Sequence, residues 1–234
     1  LSHDGLGAPV ALTGMTWSGF RPSDDACRYG YLVPSNLFAV AVLGHLAEIA
    51  RNVWQDEQIA IHAERLAAEI ASGLRTHAVI DDENTGGPVY AYEVDGLGNH
   101  HFMDDANVPS LLSLPYLGAC AADDEIYQNT RRLVLSQRNP SYYTGTQARG
   151  IGSPHTPAGY VWHISLSMQG LTSTSMEEMD GLINTLETTD GGTGYMHEGF
   201  HPDDPTTFTR EWFAWSNSLF AEFVLHWLRM RGDV

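Results

Sequence analysis

Apolar residues along this chain recur in blocks at helical spacing, and the blocks are joined alternately by short turns and by long stretches rich in Gly, Pro, Ser and Thr. Residues 1–33 carry no period and read as loop. Pro34-Ser35-Asn36 opens a helix, continued by Leu37, Val40, Ala41, Leu43, Gly44, Ala47 and Ile49. Gln55-Asp56-Glu57 caps a second, whose apolar face is Ile59, Ile61, His62, Leu66, Ile70 and Leu74, ending near residue 77. Residues 88–96 alternate and finish in Asp95-Gly96, a short strand or hairpin. Pro109 then suits the first turn of a helix running to Leu117-Gly118. Asp123-Asp124-Glu125 opens another, through about Ser136.

Residues 139–158 read as a long loop, followed by helices over about 160–173 and 174–187. A last helix starts near Thr209-Arg210, with Trp212 and Trp215 expected in the core. The count is roughly seven helices. Short turns imply antiparallel helical hairpins, and long loops on alternate connections gather on one rim. That is the layout of an α/α toroid carrying a site on its rim.

Composition narrows the function classes. A net charge of −17, with all basic residues arginine, opposes binding to nucleic acid and to anionic membrane surfaces. No apolar run reads as long enough to span a bilayer. A soluble, cytoplasmic protein is the default expectation. Two cysteines, Cys27 and Cys120, do not make a disulfide framework and read as small buried hydrophobes.

The chemistry concentrates in two aperiodic segments. Gly14–Cys27 contains Trp17, Arg21 and the pair Asp24-Asp25; Thr189–Phe200 contains His197 and Glu198 among four glycines. Aromatic faces stack on sugar rings and carboxyl groups transfer protons, so the two loops together read as a carbohydrate-processing site. Residues 197–201 also fit the HExxH pattern of zinc proteases, which requires a helix to place both histidines on one face. Gly191, Gly192 and Gly194 before it, Gly199 within it and Pro202 after it argue against one. No metal and no cofactor are expected.

The segments TWSGFRPSDDACRYGYLVPSN, MDDANVPSLLSLPYLG, GIGSPHTPAGYVW, TDGGTGYMHEGF and FTREWFAWSNSLF strongly resemble glycoside hydrolase family 125, in the family's order and over nearly the whole chain. The resemblance implies an all-α (α/α)6 barrel and an inverting, metal-independent exo-α-1,6-mannosidase. The family's members are longer, so residues 1–234 read as a single domain, the C-terminal portion of such a barrel, with a short β-hairpin inserted.

Inversion needs two carboxyl groups roughly 6.5–9.5 Å apart, one donating a proton to the leaving oxygen and one activating water. The resemblance gives Glu198 as the base and Asp24 or Asp25 as the acid, with Asp25 favoured. Adjacent carboxylates resist joint ionisation, which suits an acid. Trp17, Arg21, Asp104, Asp105, Asn107, His155 and His197 are the candidate sugar-binding residues, and an α-mannoside oligosaccharide is the expected partner. Oligomeric state leaves no signature. Two alternatives stand beside this reading, a non-catalytic sugar-binding fragment and another α/α-barrel glycosidase acting on α-glucosides.

Overall fold

The Asp56 carboxylate accepts the backbone N–H groups of Gln58 and Ile59 at 3.0 and 3.1 Å, and so fixes the start of the longest regular α-helix among the described residues. A computed structural model describes residues 1–233. Strand β1 (Tyr31–Leu32) leads into α1 (Val33–Ile49), whose last turn widens into a π-helical segment over Ala50–Trp54. Gln55, in the left-handed region at φ 57°, ends it, and α2 (Glu57–His77) follows.

Helices α1 and α2 pack side by side. Their seam is made of Ala47, Ala50, Ala60 and Ala63, with Leu43 and Leu46 packed against it. Of the apolar face expected for α2, Ile70 and Leu74 are buried, whereas Ile59, Ile61 and Leu66 are exposed and Ala60, Ala63 and Gly73 are buried in their place. Small side chains let the two backbones approach. Further along α2, Gly73 lies against the N-terminal loop, where a Cβ would collide with the Thr13 carbonyl. The outer face of α1 stays apolar, with Val42, Ile49, Val53 and Trp54 exposed. The continuous helical segment Val33–Trp54 is, by length and composition, able to cross a bilayer, which corrects the reading that no run is long enough.

Short antiparallel strands connect the helices. Strands β2 (Val79–Asp82) and β3 (Gly87–Tyr90) form a hairpin, with Val79 opposite Tyr90. Strand β4 (Glu93–Val94) lies between β1 and β5 (His100–His101), pairing Glu93 with both Leu32 and His101. Helix α3 (Glu125–Val134) is capped by Asp124. Hairpin β6 (Tyr142–Thr144) and β7 (Arg149–Ile151) lies within the expected long loop. Helices α4 (His163–Leu171) and α5 (Met176–Thr188) follow, the latter capped by Ser175. Hairpin β8 (Gly199–His201) and β9 (Asp204–Thr209) precedes α6 (Ala214–Arg231), which packs on α4 and α5.

The fold is therefore helix-rich with several short β-hairpins, rather than all-α with one. Six α-helices lie among the described residues. The helix expected over 109–118 is a run of turns, because side chains take the backbone donors a helix would use. Asp104 accepts from the N–H groups of Leu111 and Leu112, and the hydroxyls of Ser110 and Ser113 take each other's N–H groups. The last helix starts at Ala214, not near Thr209, since 204–209 pairs as β9. Similarly α4 starts at His163 because Val161 forms a β-bridge with Phe200.

Two cores result. One, around Leu32, Ile70, Val89, Tyr92, Leu112 and Tyr127, supports the first loop. The other, around Val161, Leu166, Leu186, Phe200 and Phe223, supports the last.

Candidate active site

The first loop is a closed turn. Phe20 and Ala26 bridge its arms, the Arg21 N–H donates to the Asp25 carbonyl at 2.8 Å, and Asp24 sits at the tip with φ 66°. Its base is held by Glu93 on β4, whose side chain is 0% exposed. One Glu93 oxygen takes the Arg21 Nε at 2.6 Å, and the other accepts the N–H groups of Arg28 and Tyr29 at 2.8 and 3.1 Å. A single carboxylate thus ties both arms together. Burial, then the Glu93 charge, pushes the neighbouring Cys27 thiol up to about 12, so it stays protonated and is no nucleophile at neutral pH.

At the tip the two acids differ. Asp24 is exposed and lines the cleft. Asp25 is half-buried, accepts the Ser23 hydroxyl on Oδ2 at 2.8 Å, and has the His155 Nδ1 3.9 Å away.

The last loop is organised by Asp190, whose carboxylate accepts the N–H groups of Gly192 and Gly194. His197 is fully buried, with its ring stacked on Phe208 at 3.8 Å between centroids. Its Nδ1 lies 2.7 Å from the Glu211 carbonyl and its Nε2 2.9 Å from that of Asp190. The His197 backbone N–H donates to His163 Nδ1, which leaves the proton of His163 on Nε2, facing Thr189 Oγ1 at 3.0 Å. Burial, and next the charge of His197, push His163 down to about 3, so His163 stays neutral. The backbone on both sides of Glu198 is fixed in this way, with Gly199 entering β8. Residues 197–201 are not helical, and both nitrogens of His197 are occupied by carbonyls. Among the described residues, no three His, Cys, Asp or Glu side chains converge as a metal site.

Glu198 is nearly buried, and its Oε1 lies 3.2 Å from Arg210 Nε. The Arg210 guanidinium stands over the Phe213 ring. A cleft of about 330 Å³ brings Glu198 together with Ser23, Asp24, Asn107 and His155, and Trp162, Phe213 and Trp215 supply its aromatic walls. Both loops therefore open on one cavity.

The other candidates lie behind or beside this cleft. Asp104 is buried with both oxygens on backbone N–H groups, and burial raises it to about 7. Burial also raises the adjacent Asp105, against hydrogen bonds from Asn107 and Ser153. Arg21 is committed to Glu93, His197 is sealed beneath the base, and Trp17 packs near Gly19 and Gly30 away from the cleft. Trp212 and Trp215, expected in the core, are 60% and 59% exposed. Sequence reasoning missed Ser23, Glu93 and Arg210. Only Glu93 leaves a signal, as a charge inside the apolar strand pattern of residues 88–94.

Comparison with known proteins places this geometry. The chain is 44% identical over 229 residues to the meiotically up-regulated gene 157 protein of Schizosaccharomyces pombe, covering 97% of this chain and 45% of that one. It superposes with a TM-score of 0.95, at 52% identity, on a Streptococcus pneumoniae protein described as a metal-independent alpha mannosidase, in a non-productive complex with alpha-1,6-mannobiose. That match covers 98% of this chain and 54% of the other. A bacterial glucoamylase complexed with acarbose shares the fold at a TM-score of 0.61 and 19% identity, over 86% of this chain and 34% of its own. The chain spans about half the length of the first two relatives. The sequence profile described as metal-independent alpha-mannosidase (GH125) matches residues 1–225, and with these two loops meeting on one cleft the chain belongs to that family.

Proposed function

We propose that this chain supplies the acid/base site of an exo-acting, inverting α-1,6-mannosidase that releases mannose from mannan or N-glycan-derived oligosaccharides. Glu198 is the base that activates water, and Asp25 is the acid that protonates the departing glycosidic oxygen. The observation that carries this reading is the meeting of the Asp24-Asp25 loop and Glu198 on one cleft. Asp25 is preferred to Asp24 because its carboxyl is fixed by Ser23, whereas Asp24 is exposed at the tip. A proton donor must be held in line with the bond it cleaves. Asn107 and His155 offer hydrogen bonds to sugar hydroxyls, and Phe213 and Trp215 offer ring faces. The mannobiose bound to the pneumococcal relative supports the α-1,6 linkage.

The proposed setting is the C-terminal portion of an (α/α)6 barrel, in which the apolar outer face of α1 meets further helices. The test uses the complete gene product with α-1,6-mannobiose and maltose, following the first-formed anomer by proton NMR. Release of β-mannose from mannobiose, with maltose untouched and excess chelator without effect, is expected. Release of α-mannose first would overturn inversion, and no hydrolysis of mannobiose would overturn the substrate.

A further inference from the structure

Residues 152–160 form a loop without regular structure, and two buried side chains, Ser153 and Thr156, flank His155 within it. The Trp162 backbone N–H donates to the Ile151 carbonyl at 3.1 Å and closes the ends of the loop. Ser153 is the first anchor inside. Its hydroxyl accepts the His155 backbone N–H at 3.2 Å and donates to Asp105 Oδ2 at 3.1 Å. Thr156 is the second. Trp162 Nε1 donates to Thr156 Oγ1 at 2.8 Å, with both side chains buried. An indole N–H can only donate, so the threonine accepts, and its own proton is left for the Ser153 carbonyl at 3.4 Å.

The indole is a fixed point. It packs with Ala106 and Ile164 and meets the Phe213 ring edge-on, at 6.0 Å between centroids. It also lies against the backbone of Gly199, where an added Cβ would stand 3.1 Å from the ring. Gly199 follows Glu198, so one ring touches the strand that continues from the base and holds the loop that carries His155. The His155 ring lines the cleft and is 40% exposed. Its Nδ1 is 3.9 Å from Asp25 Oδ2, too far for a hydrogen bond, and the ring makes none among the described residues.

We propose that Trp162 and Thr156 are positioning residues for sugar binding: their buried hydrogen bond, with Ser153 on the other side, holds His155 where its ring meets a hydroxyl of the bound mannoside. A neutral imidazole offers one donor and one acceptor, and a sugar hydroxyl can take either part. The contact forms in the bound substrate and persists as the bond breaks, so it lowers KM and leaves kcat alone. This inference rests on the reading of the cleft as an α-mannoside site.

The experiment compares Thr156→Val, Thr156→Ser, His155→Ala and the double variant His155→Ala/Thr156→Val in the complete gene product, with α-1,6-mannobiose as substrate. Thr156→Val keeps the shape and removes the acceptor. It is expected to raise KM about fivefold with kcat within about twofold. Thr156→Ser, which keeps the hydroxyl, brings KM back to within about twofold of the wild type. His155→Ala raises KM at least as far as Thr156→Val, and adding Thr156→Val to it changes KM by less than about twofold. Should Thr156→Val not fold, Trp162→Phe, which removes the donor and leaves no buried N–H unpaired, gives the same cycle with His155→Ala. Additive effects of the two substitutions, a loss confined to kcat, an unchanged KM in either single variant, or no rescue by Thr156→Ser overturns the positioning role. A wild-type protein that neither binds nor cleaves mannobiose overturns the mannoside reading, and this inference with it.

Discussion

Arg210 Nε stands 3.2 Å from Glu198 Oε1, and it reaches that place from a backbone φ of 44°. Non-glycine residues avoid the left-handed region, and such strain gathers at functional sites. Arg210 is 59% exposed in its side chain, so solvent screens the pair and little stability comes from it. Arg210→Gly relieves the backbone, while Arg210→Ala removes the guanidinium and keeps the strain. The glycine variant is expected to be more stable than the alanine variant by about 1 kcal/mol, with both losing turnover. Thermal unfolding and mannobiose kinetics on the two side by side check this.

Glu198→Gln keeps the shape of the base but cannot take the proton of water. It is expected to lose about a hundredfold or more in kcat while binding mannobiose nearly as well. Turnover assays paired with calorimetric binding measure both. Near-normal hydrolysis would remove Glu198 from the mechanism.

The acid is assigned by leaving-group dependence. Asp25→Asn is expected to abolish cleavage of mannobiose and to slow activated aryl mannosides much less, and Asp24→Asn to slow both substrates alike. The reverse pattern would exchange the two residues.

Glu93→Gln leaves Arg21 buried without its counter-ion. Removing one partner of a buried pair costs about 3–5 kcal/mol. Chemical denaturation is expected to show a loss of about 3 kcal/mol. A change under about 1 kcal/mol would mean that the loop does not depend on this anchor.

Asp104 gives the chain a pH dependence. Burial raises its folded-state value to about 7, above the unfolded value near 4, so folding favours the protonated form. Its contribution is fully present below about pH 4 and drains away as pH rises towards 7. Unfolding free energy from pH 4 to 7 is expected to fall more steeply in the wild type than in Asp104→Asn. Parallel curves would rule the contribution out.

Helix starts were legible in this sequence where a short polar side chain does the capping, as at Asp56, Asp124 and Ser175, because a cap is a local interaction. The inward face of α2 was legible only in part, at Ile70 and Leu74. Ile59, Ile61 and Leu66 are the more hydrophobic choice, yet Ala60 and Ala63 face α1, because the close fit of a neighbouring helix selects for size. The turns over 109–118 depend on Asp104, whose oxygens outcompete the helix for the same donors.

At the site, the sequence motifs named Asp24, Asn107, His155 and Glu198, which line the cleft, and Asp25, which lies behind Ser23 and His155. What they could not show is which neighbours act from behind. Glu93 meets Arg21 across 72 positions, and Arg210 reaches Glu198 only through an unusual backbone angle. Neither relation has a period or a spacing.

The clasp at Glu93 separates two demands on one segment. All of its hydrogen bonds go to Arg21, Arg28 and Tyr29, at the feet of the loop, and none to residues 22–27 between them. Substitutions at Pro22 or Asp24 therefore change what the cleft presents to a sugar without loosening the ends that hold the turn in place. Folding constrains the feet and recognition constrains the tip, so a lineage can revise the one while keeping the other.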